Sequence, residues 1–412
     1  MIRALAGLAM MLAGAQPGTY AGTVTFTNAE TAGIGLVLRG STATVSLGPG
    51  HVSHAQVDVR RSDGLIRFAV PGLPKPVEFS LRPTGSRLVG TATQGAARAT
   101  VTLKRGRAAP DAALGYFGSP QVEIARFTRF GFSTRPVAID RATGAFTAAV
   151  PTSARLGVRQ YEVRIPVPGA TLAGTLTIPP GPGPHPAYVY VSGSGPTLRE
   201  ESHWFDSVFV SRGIAVLSYD KRGIGQSSGH YPGDFASVTT IDQLAGDAAA
   251  AAHFLAAQPG IDRKRVGLVG ISQGGWIIPQ AAVRARAAVS WAVIESGPTV
   301  TQGESDDYAN IVPQAKSLAD AEAKAQAYGP NGYDPVPWIR KLAIPVLWLY
   351  GGRDRNQPAH RSMAILQTLS AGHDFEVDYF PAAPHPLFDA HGFPPTLFGT
   401  VRSWLSARSL GG

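Results

Sequence analysis

A serine in a G-x-S-x-G pattern is the strongest candidate for chemistry in this sequence. The pattern places a serine on a sharp turn between a strand and a helix, where small neighbours let the backbone bend and expose the hydroxyl. It occurs around both Ser227 and Ser272. Only Ser272 follows an apolar run, residues 265–269, and precedes a helix-like one, whereas Ser227 follows a charged turn and precedes Pro232. We therefore predict Ser272 as a nucleophile and Ser227 as a loop residue.

A serine nucleophile needs a base and an acid, and the chain order for a strand–turn–helix serine is Ser, then Asp or Glu, then His. Asp354 directly follows the apolar run 345–350, at the carboxyl edge of the predicted sheet where ligands bind. Asp334 follows no strand. Asp374 and Asp378 flank or lie within a predicted strand. Asp354 is therefore the predicted acid.

Four histidines follow Asp354. His360 and His373 flank a predicted helix, while His385 and His391 come after the last predicted strand. Because the base of such a triad follows that strand, we predict His385 as the base and keep His391 in reserve.

An oxyanion formed at the attacked carbonyl requires backbone N–H donors. We predict the N–H of Gln273, directly after the nucleophile, as one donor. The glycine-rich turn 192–196 follows an early strand, and the N–H of Ser194 in that turn is the predicted second donor.

Two sequence textures indicate two domains. From residue 18 to 104, eight short β-branched or alternating runs are separated by glycine and proline, which indicates a small antiparallel barrel or sandwich in domain 16–107. Residues 108–157 are ambiguous and are treated as a linker. From residue 158 to 412, strands alternate with amphipathic or alanine-rich stretches, which predicts a mostly parallel α/β sheet.

Residues 299–338, with a helix-like run from Ile311 to Tyr328, are predicted to form a small lid.

Composition excludes several kinds of chemistry. The 412 residues contain no cysteine, so disulfides and thiol nucleophiles are excluded. The ten histidines show no metal-ligand spacing, and we predict neither a metal nor an organic cofactor. The net charge is +9, but lysine and arginine form no run with interleaved aromatics, so we predict no nucleic-acid partner.

The first fifteen residues resemble a secretion signal. Arg3 precedes an uncharged stretch, residues 4–12, and then Ala13, Gly14 and Ala15 form a small-x-small cleavage pattern. The apolar run is too short to cross roughly 30 Å of hydrocarbon, so we predict no integral membrane segment. We expect cleavage near Ala15 and export, with periplasmic and extracellular destinations both open.

Five segments together resemble bacterial α/β-hydrolase carboxylesterases with an extra N-terminal domain. They are residues 172–176, the turn 192–196, the loop 219–227, the strand–turn–helix segment 270–276 and the run 351–354. The resemblance implies the α/β-hydrolase fold and serine esterase activity on a small-molecule ester. It supports Ser272, Asp354 and His385 by position. Ser192 departs from the family, which usually has histidine there.

Two other functions remain open. The double glycine in the strand–turn–helix segment is also similar to that of prolyl-oligopeptidase-like serine peptidases, although about 90 residues are too few for their N-terminal propeller. The chain could also be a non-catalytic binding protein, but every triad role has a candidate. The sequence does not indicate an oligomeric state.

Overall fold

The structure, a computed structural model, describes part of the chain. The described residues are 17–26, 31–47, 52–70, 76–95, 97–105, 116–117, 122–126, 136–140, 146–147, 155–156, 158–199, 204–233, 236–389 and 393–411. The predicted signal peptide, residues 1–15, and much of the 108–157 segment lie outside this part. Residues 17–105 belong to one compact unit, and residues 158–199, 204–233, 236–389 and 393–411 belong to another.

The first unit is built from one antiparallel sheet of nine strands. These are β1 (Gly18–Phe26), β2 (Thr31–Arg39), β3 (Thr42–Leu47), β4 (Val52–Asp58), β5 (Arg60–Ser62), β6 (Leu65–Val70), β7 (Val77–Thr84), β8 (Arg87–Gln94) and β9 (Ala97–Arg105). Their order is β4-β3-β2-β1-β9-β8-β7-β6-β5. Only Val59 separates the two edge strands, β4 and β5, along the chain. The sheet therefore curls until its edges meet, which is close to a barrel.

Alternation of side chains explains this sheet. Along β6, Ile66, Phe68 and Val70 are buried while Ala69 is exposed. Phe68 stacks on Phe79 of β7 with ring centroids 4.8 Å apart. One face of each strand therefore fills the interior, as the period of two requires.

Five short strands are described between residues 106 and 157 of the chain. They are β10 (Tyr116–Phe117), β11 (Val122–Arg126), β12 (Pro136–Asp140), β13 (Phe146–Thr147) and β14 (Arg155–Leu156). Strand β10 pairs with β14, and β11, β12 and β13 form a three-stranded sheet.

The second unit contains an eight-stranded mixed sheet. Its strands are β15 (Arg159–Val167), β16 (Ala170–Ile178), β17 (His185–Val191), β18 (Ala215–Tyr219), β19 (Ile261–Ile271), β20 (Val289–Glu295), β21 (Val346–Gly351) and β22 (Phe375–Phe380). Their order is β15-β16-β18-β17-β19-β20-β21-β22. The first two pairings are antiparallel, and all pairings from β18 onward are parallel.

Eight α-helices are described in the second unit. They are α1 (Trp204–Val210), α2 (Val238–Ala256), α3 (Gly274–Arg284), α4 (Gln302–Ile311), α5 (Leu318–Ala327), α6 (Val336–Ile339), α7 (Ala359–Leu369) and α8 (Leu397–Ala407), with a 3₁₀ turn at Val312–Gln314. Strands β17, β20 and β21 are almost wholly buried, and β19 is buried from Val266 to Gly270, as strands of a sheet covered by helices must be. Among the described residues, no helix has the length and apolarity to cross a membrane.

A mostly parallel sheet with an antiparallel start and a strand–turn–helix at Ser272 is the α/β-hydrolase architecture. The predicted fold class, this α/β fold after an antiparallel β-domain, is confirmed.

Candidate active site

Ser272 occupies a strained turn between a buried strand and a helix. Strand β19 ends at Ile271 and α3 begins at Gly274. The backbone φ of Ser272 is +57°, in the left-handed region that non-glycine residues rarely adopt. Its N–H donates to the carbonyl of Glu295 at 2.9 Å. Strain of this kind persists only where the surrounding structure fixes it, and it clusters at functional sites.

Close backbone approaches surround the turn and explain its glycines. A Cβ added at Gly193 would lie 3.3 Å from Cβ of Ser272. One added at Gly275 would lie 2.4 Å from Cα of Gly297. The loop after β17 therefore lies against the serine on one side. On the other side, α3 packs on the chain after β20 without room for a side chain.

The strands bring the three predicted triad positions to one edge of the sheet. Ile271 pairs with Glu295, and Glu295 pairs with Leu349 of β21. Because parallel strands end at the same edge, the residues that follow β19, β20 and β21 all emerge there. Asp354 follows β21 and His385 follows β22.

Asp354 and His385 are hydrogen-bonded to each other. His385 Nδ1 lies 2.7 Å from Asp354 Oδ2, and the Asp354 side chain is fully buried. The other carboxylate oxygen accepts the backbone N–H groups of Asn356 at 2.8 Å and Gln357 at 2.9 Å. With Nδ1–H donating to the carboxylate, Nε2 is left as the ring atom that can accept a proton.

Ser296 is a buried residue that sequence reasoning missed. Its hydroxyl donates to the carbonyl of His385 at 2.6 Å, and its N–H donates to the carbonyl of Leu349 at 2.8 Å. The residue before it, Glu295, accepts the N–H of Ser272. Ser296 thus ties the histidine loop to the strand beside the nucleophile. Its place directly after a buried parallel strand was the available signal.

The two predicted oxyanion donors come from the residue after Ser272 and from the loop that approaches Ser272. Gln273, 1% exposed, immediately precedes α3, so its N–H lies at a helix N-terminus that favours negative charge. Ser194 is exposed, next to Gly193, which approaches Ser272. Both assignments remain predictions.

The second G-x-S-x-G serine has a structural environment. Ser227 is buried, its hydroxyl donates to the carbonyl of Asp220 at 2.7 Å, and it accepts the N–H of Ala173 at 2.8 Å. The first hydrogen bond lies within the loop 219–227, and the second fastens the loop to Ala173 of strand β16. His391, the reserve base, lies outside the described residues.

The segment predicted as a lid contacts the acid. Tyr308 of α4 donates its hydroxyl to the carbonyl of Asp354 at 2.7 Å. Burial, and then the negative charge of Asp354, raises the pKa of Tyr308 above its ordinary value. The helix predicted from Ile311 to Tyr328 is confirmed for residues 318–327, which form α5, and is wrong before them. Helix α4 ends at Ile311, and α5 begins after Ser317, whose hydroxyl accepts the N–H of Asp320.

Among the residues that the structure describes, no three His, Asp or Glu side chains are grouped as metal ligands would be. The site contains a serine hydroxyl on a turn and a carboxylate–imidazole pair. The fold is the α/β-hydrolase fold, and the site has the residue types that this fold places at its sheet edge.

Comparisons with known proteins agree with this class. Residues 184–329 match the family described as serine aminopeptidase, S33. Esterase EstD of Thermotoga maritima is 27% identical over 254 residues, which cover 54% of this chain and 59% of that protein. Thiohydrolase aneE of Aspergillus aculeatus is 26% identical over 166 residues, which cover 34% of this chain and 51% of that protein. The chain thus spans between half and three fifths of these curated relatives.

Two solved structures were also similar. The Pyrococcus furiosus esterase Pf2001 is 16% identical, with a TM-score of 0.46 over 61% of this chain and 88% of that one. The Pyrococcus horikoshii acylaminoacyl peptidase is 12% identical, with a TM-score of 0.48 over 92% of this chain and 74% of that one.

Proposed function

We propose that the protein is a serine hydrolase that cleaves carboxylic esters of small molecules. The observation that carries the proposal is the 2.7 Å hydrogen bond between His385 and the buried Asp354, at the sheet edge where the Ser272 turn emerges. A carboxylate that fixes an imidazole, at the same sheet edge as a serine on a strained turn, supports an arrangement in which the imidazole activates the hydroxyl.

The reaction has two halves. In the first, His385 Nε2 takes the proton of the Ser272 hydroxyl, and Oγ attacks the ester carbonyl. The oxyanion accepts the N–H groups of Gln273 and Ser194, and the tetrahedral intermediate collapses as the imidazolium protonates the leaving alcohol. In the second, water attacks the acyl-enzyme with His385 again as base, the acid is released, and Ser272 recovers its proton.

Ester substrates are supported by the curated esterase relative, and a peptidase is the second candidate because the matched family is described as serine aminopeptidase. An ester needs less protonation of its leaving group than an amide does. The two functions are therefore separated by comparing p-nitrophenyl esters with aminoacyl p-nitroanilides. Turnover of esters alone supports the proposal, and preference for the anilides supports the peptidase.

The test of the nucleophile uses the Ser272→Ala variant. We expect p-nitrophenyl acetate, butyrate and octanoate to be hydrolysed by the wild type, and hydrolysis and fluorophosphonate labelling both to disappear in the variant. Ser403→Ala is the matched control, because Ser403 is exposed on α8. Activity that survives in Ser272→Ala would contradict the proposal, and a wild type that neither turns over esters nor reacts with the probe would favour a non-catalytic binding protein.

Export is a separate part of the proposal. It is supported by the composition of residues 1–15 alone. Fractionation of the producing cells with N-terminal sequencing tests it, and we expect mature protein that begins at Gln16 outside the cytoplasm. Uncleaved protein in the cytoplasm would contradict it.

A further inference from the structure

Lys221 places a buried ammonium group beside the turn that approaches the nucleophile. The residue is 3% exposed. Its Nζ donates to the carbonyl of Gly193, to the carbonyl of Gly195 at 3.0 Å and to the side-chain oxygen of Gln273 at 3.3 Å. A single cation therefore contacts both chain segments that supply the predicted oxyanion donors.

The contact between Lys221 and the Gly193 carbonyl also fixes the direction of the Ser194 N–H. The carbonyl of Gly193 and the N–H of Ser194 belong to the same planar trans peptide, in which the two groups point in opposite directions. Because the carbonyl points at Lys221, the N–H of Ser194 points away from it. Gly193 itself lies against Ser272, so the orientation of this peptide is set next to the nucleophile.

The residues around Lys221 hold its backbone in place. Its N–H donates to the carbonyl of Thr197 at 3.2 Å. Asp220, one residue earlier, accepts the N–H of Arg199 at 2.9 Å, and Arg222, one residue later, forms a buried ion pair with Asp247 whose Nε–Oδ2 distance is 2.7 Å. The ammonium is thus carried on a segment that is anchored on both sides.

We propose that Lys221 is a positioning residue of the oxyanion site, which orients the Ser194 N–H through the Gly193 carbonyl and holds Gln273 beside it. The inference rests on the proposed serine hydrolase function. The positive charge also favours the negative charge that develops on the attacked carbonyl oxygen, since a cation in a site sheltered from water interacts more strongly than one in solvent. A purely structural lysine would stabilise the fold without favouring the transition state.

The test compares Lys221→Met with wild type on a p-nitrophenyl ester. Loss of an aligned oxyanion donor typically lowers kcat by about 10²-fold to 10³-fold. We therefore expect kcat of the Met variant to fall by about 10²-fold while KM changes by less than about threefold, because the interaction is made in the transition state. Affinity for a trifluoromethyl ketone, whose serine adduct carries the same oxyanion, should fall by a similar factor.

Two further variants keep the result interpretable. Lys264→Met is the matched control, because Lys264 is exposed at the start of β19, and it should match wild type. Lys221→Arg keeps the positive charge on a planar guanidinium group, and its kcat should fall less than that of the Met variant. If the Met variant does not fold, the Arg variant carries the test by the same criterion, a joint fall of kcat and inhibitor affinity at constant KM.

Unchanged kcat in folded Lys221 variants, or a fall in kcat without loss of inhibitor affinity, would overturn the inference. Either result leaves the proposed function standing as long as wild type hydrolyses esters and is labelled at Ser272. An inactive wild type would instead refute the proposed function.

Discussion

Asp354 illustrates how single residues are held at this site. Its carboxylate accepts hydrogen bonds from the Nδ1–H of His385 and from two backbone N–H groups. Its backbone carbonyl accepts a hydrogen bond from the Tyr308 hydroxyl. These hydrogen bonds are needed because burying a charged carboxylate without donors would destabilise the fold. The orientation of His385 therefore follows from an acid that is fixed on several sides.

Replacing Asp354 by Asn tests that role. The amide keeps the shape but can present its N–H₂ group to Nδ1, which favours the tautomer with the proton on Nε2 and removes the base. We expect kcat on p-nitrophenyl butyrate to fall by about 10⁴-fold at neutral pH. Asp334→Asn is the control, because Asp334 lies outside the dyad and accepts the N–H of Val336. A decrease of less than tenfold would show that Asp354 does not orient the base.

Sequence order and strand context single out Ser272, Asp354 and His385, because a nucleophile turn and the loops after parallel strands have local signals. Ser296 and Lys221 also follow strands of this sheet, but nothing in the sequence shows which groups their side chains contact. Their roles depend on contacts with residues far away in the chain, such as the carbonyl of Gly193 or of His385. Only three-dimensional packing shows these.

At the scale of elements, the site depends on how closely α3 packs on the chain after β20. The helix runs from Gly274 to Arg284 and continues through Pro279. Gly275 in its first turn faces Gly297, and neither position has space for a Cβ. Contact between backbones sets the direction in which the helix leaves the nucleophile turn.

Gly275→Ala should therefore displace α3. The added methyl would meet backbone atoms, which cannot rotate aside, and overpacking of this kind costs about 1–3 kcal/mol of unfolding free energy. We expect esterase activity to fall as well, since the displaced helix carries the Gln273 N–H. Urea unfolding and kcat measure both effects.

Gly399→Ala is the matched control for that substitution. Gly399 lies in the first turn of α8, and an added Cβ has no atom within 4 Å. Alanine should raise the unfolding free energy by up to about 1 kcal/mol. A stable, active Gly275→Ala protein would show that α3 can shift without consequence.

The lid segment makes a second prediction at this scale. Tyr308→Phe removes the hydrogen bond from α4 to the carbonyl of Asp354 and should cost about 0.5–1.5 kcal/mol of unfolding free energy. Tyr328→Phe is the control, because Tyr328 is 73% exposed. Equal urea midpoints for the two variants would contradict a role for this contact in holding the lid.

The break in the predicted helix has a local explanation. Residues 318–327 are rich in alanine and form α5, so helical propensity was read correctly there. Pro313 and the capping Ser317 end one helix and begin another, and these signals outweigh the periodic pattern that joins them.

At the scale of the whole molecule, the two units offer different spectroscopic probes. All six tryptophans, from Trp204 to Trp404, belong to the second unit. Tryptophan fluorescence therefore reports the unfolding of the α/β unit. The two halves of the sequence predicted one antiparallel and one mostly parallel sheet. The position of β4 and β5 at opposite ends of the strand order depends on pairings between strands far apart in the chain, such as β1 with β9.

Buried carboxyls in the second unit predict how its stability depends on pH. Burial raises the pKa of Asp378, and its Oδ2 has no hydrogen-bond partner. A folded pKa above the unfolded one means that the carboxyl stabilises the fold below the unfolded pKa and loses this contribution as pH rises through the folded pKa. Asp378→Asn should therefore gain stability relative to wild type as pH rises.

Urea unfolding followed by tryptophan fluorescence at about pH 4 and about pH 7 tests this expectation. The difference between Asp378→Asn and wild type should be larger at the higher pH. Asp334→Asn, an exposed substitution in the same unit, serves as the control. A difference that shrinks with rising pH would contradict the assigned direction.

The environment of Ser227 bears on peptide mapping. Its hydroxyl is occupied by Asp220 and Ala173, so a serine-reactive probe should leave it unmodified despite its pattern. Trypsin would cut this chain into one peptide of residues 223–263 that contains Ser227 and another of residues 266–284 that contains Ser272. Mass spectrometry should therefore find the probe on the peptide that contains Ser272. Although the G-x-S-x-G pattern occurs twice, each chain should bind one molecule of probe.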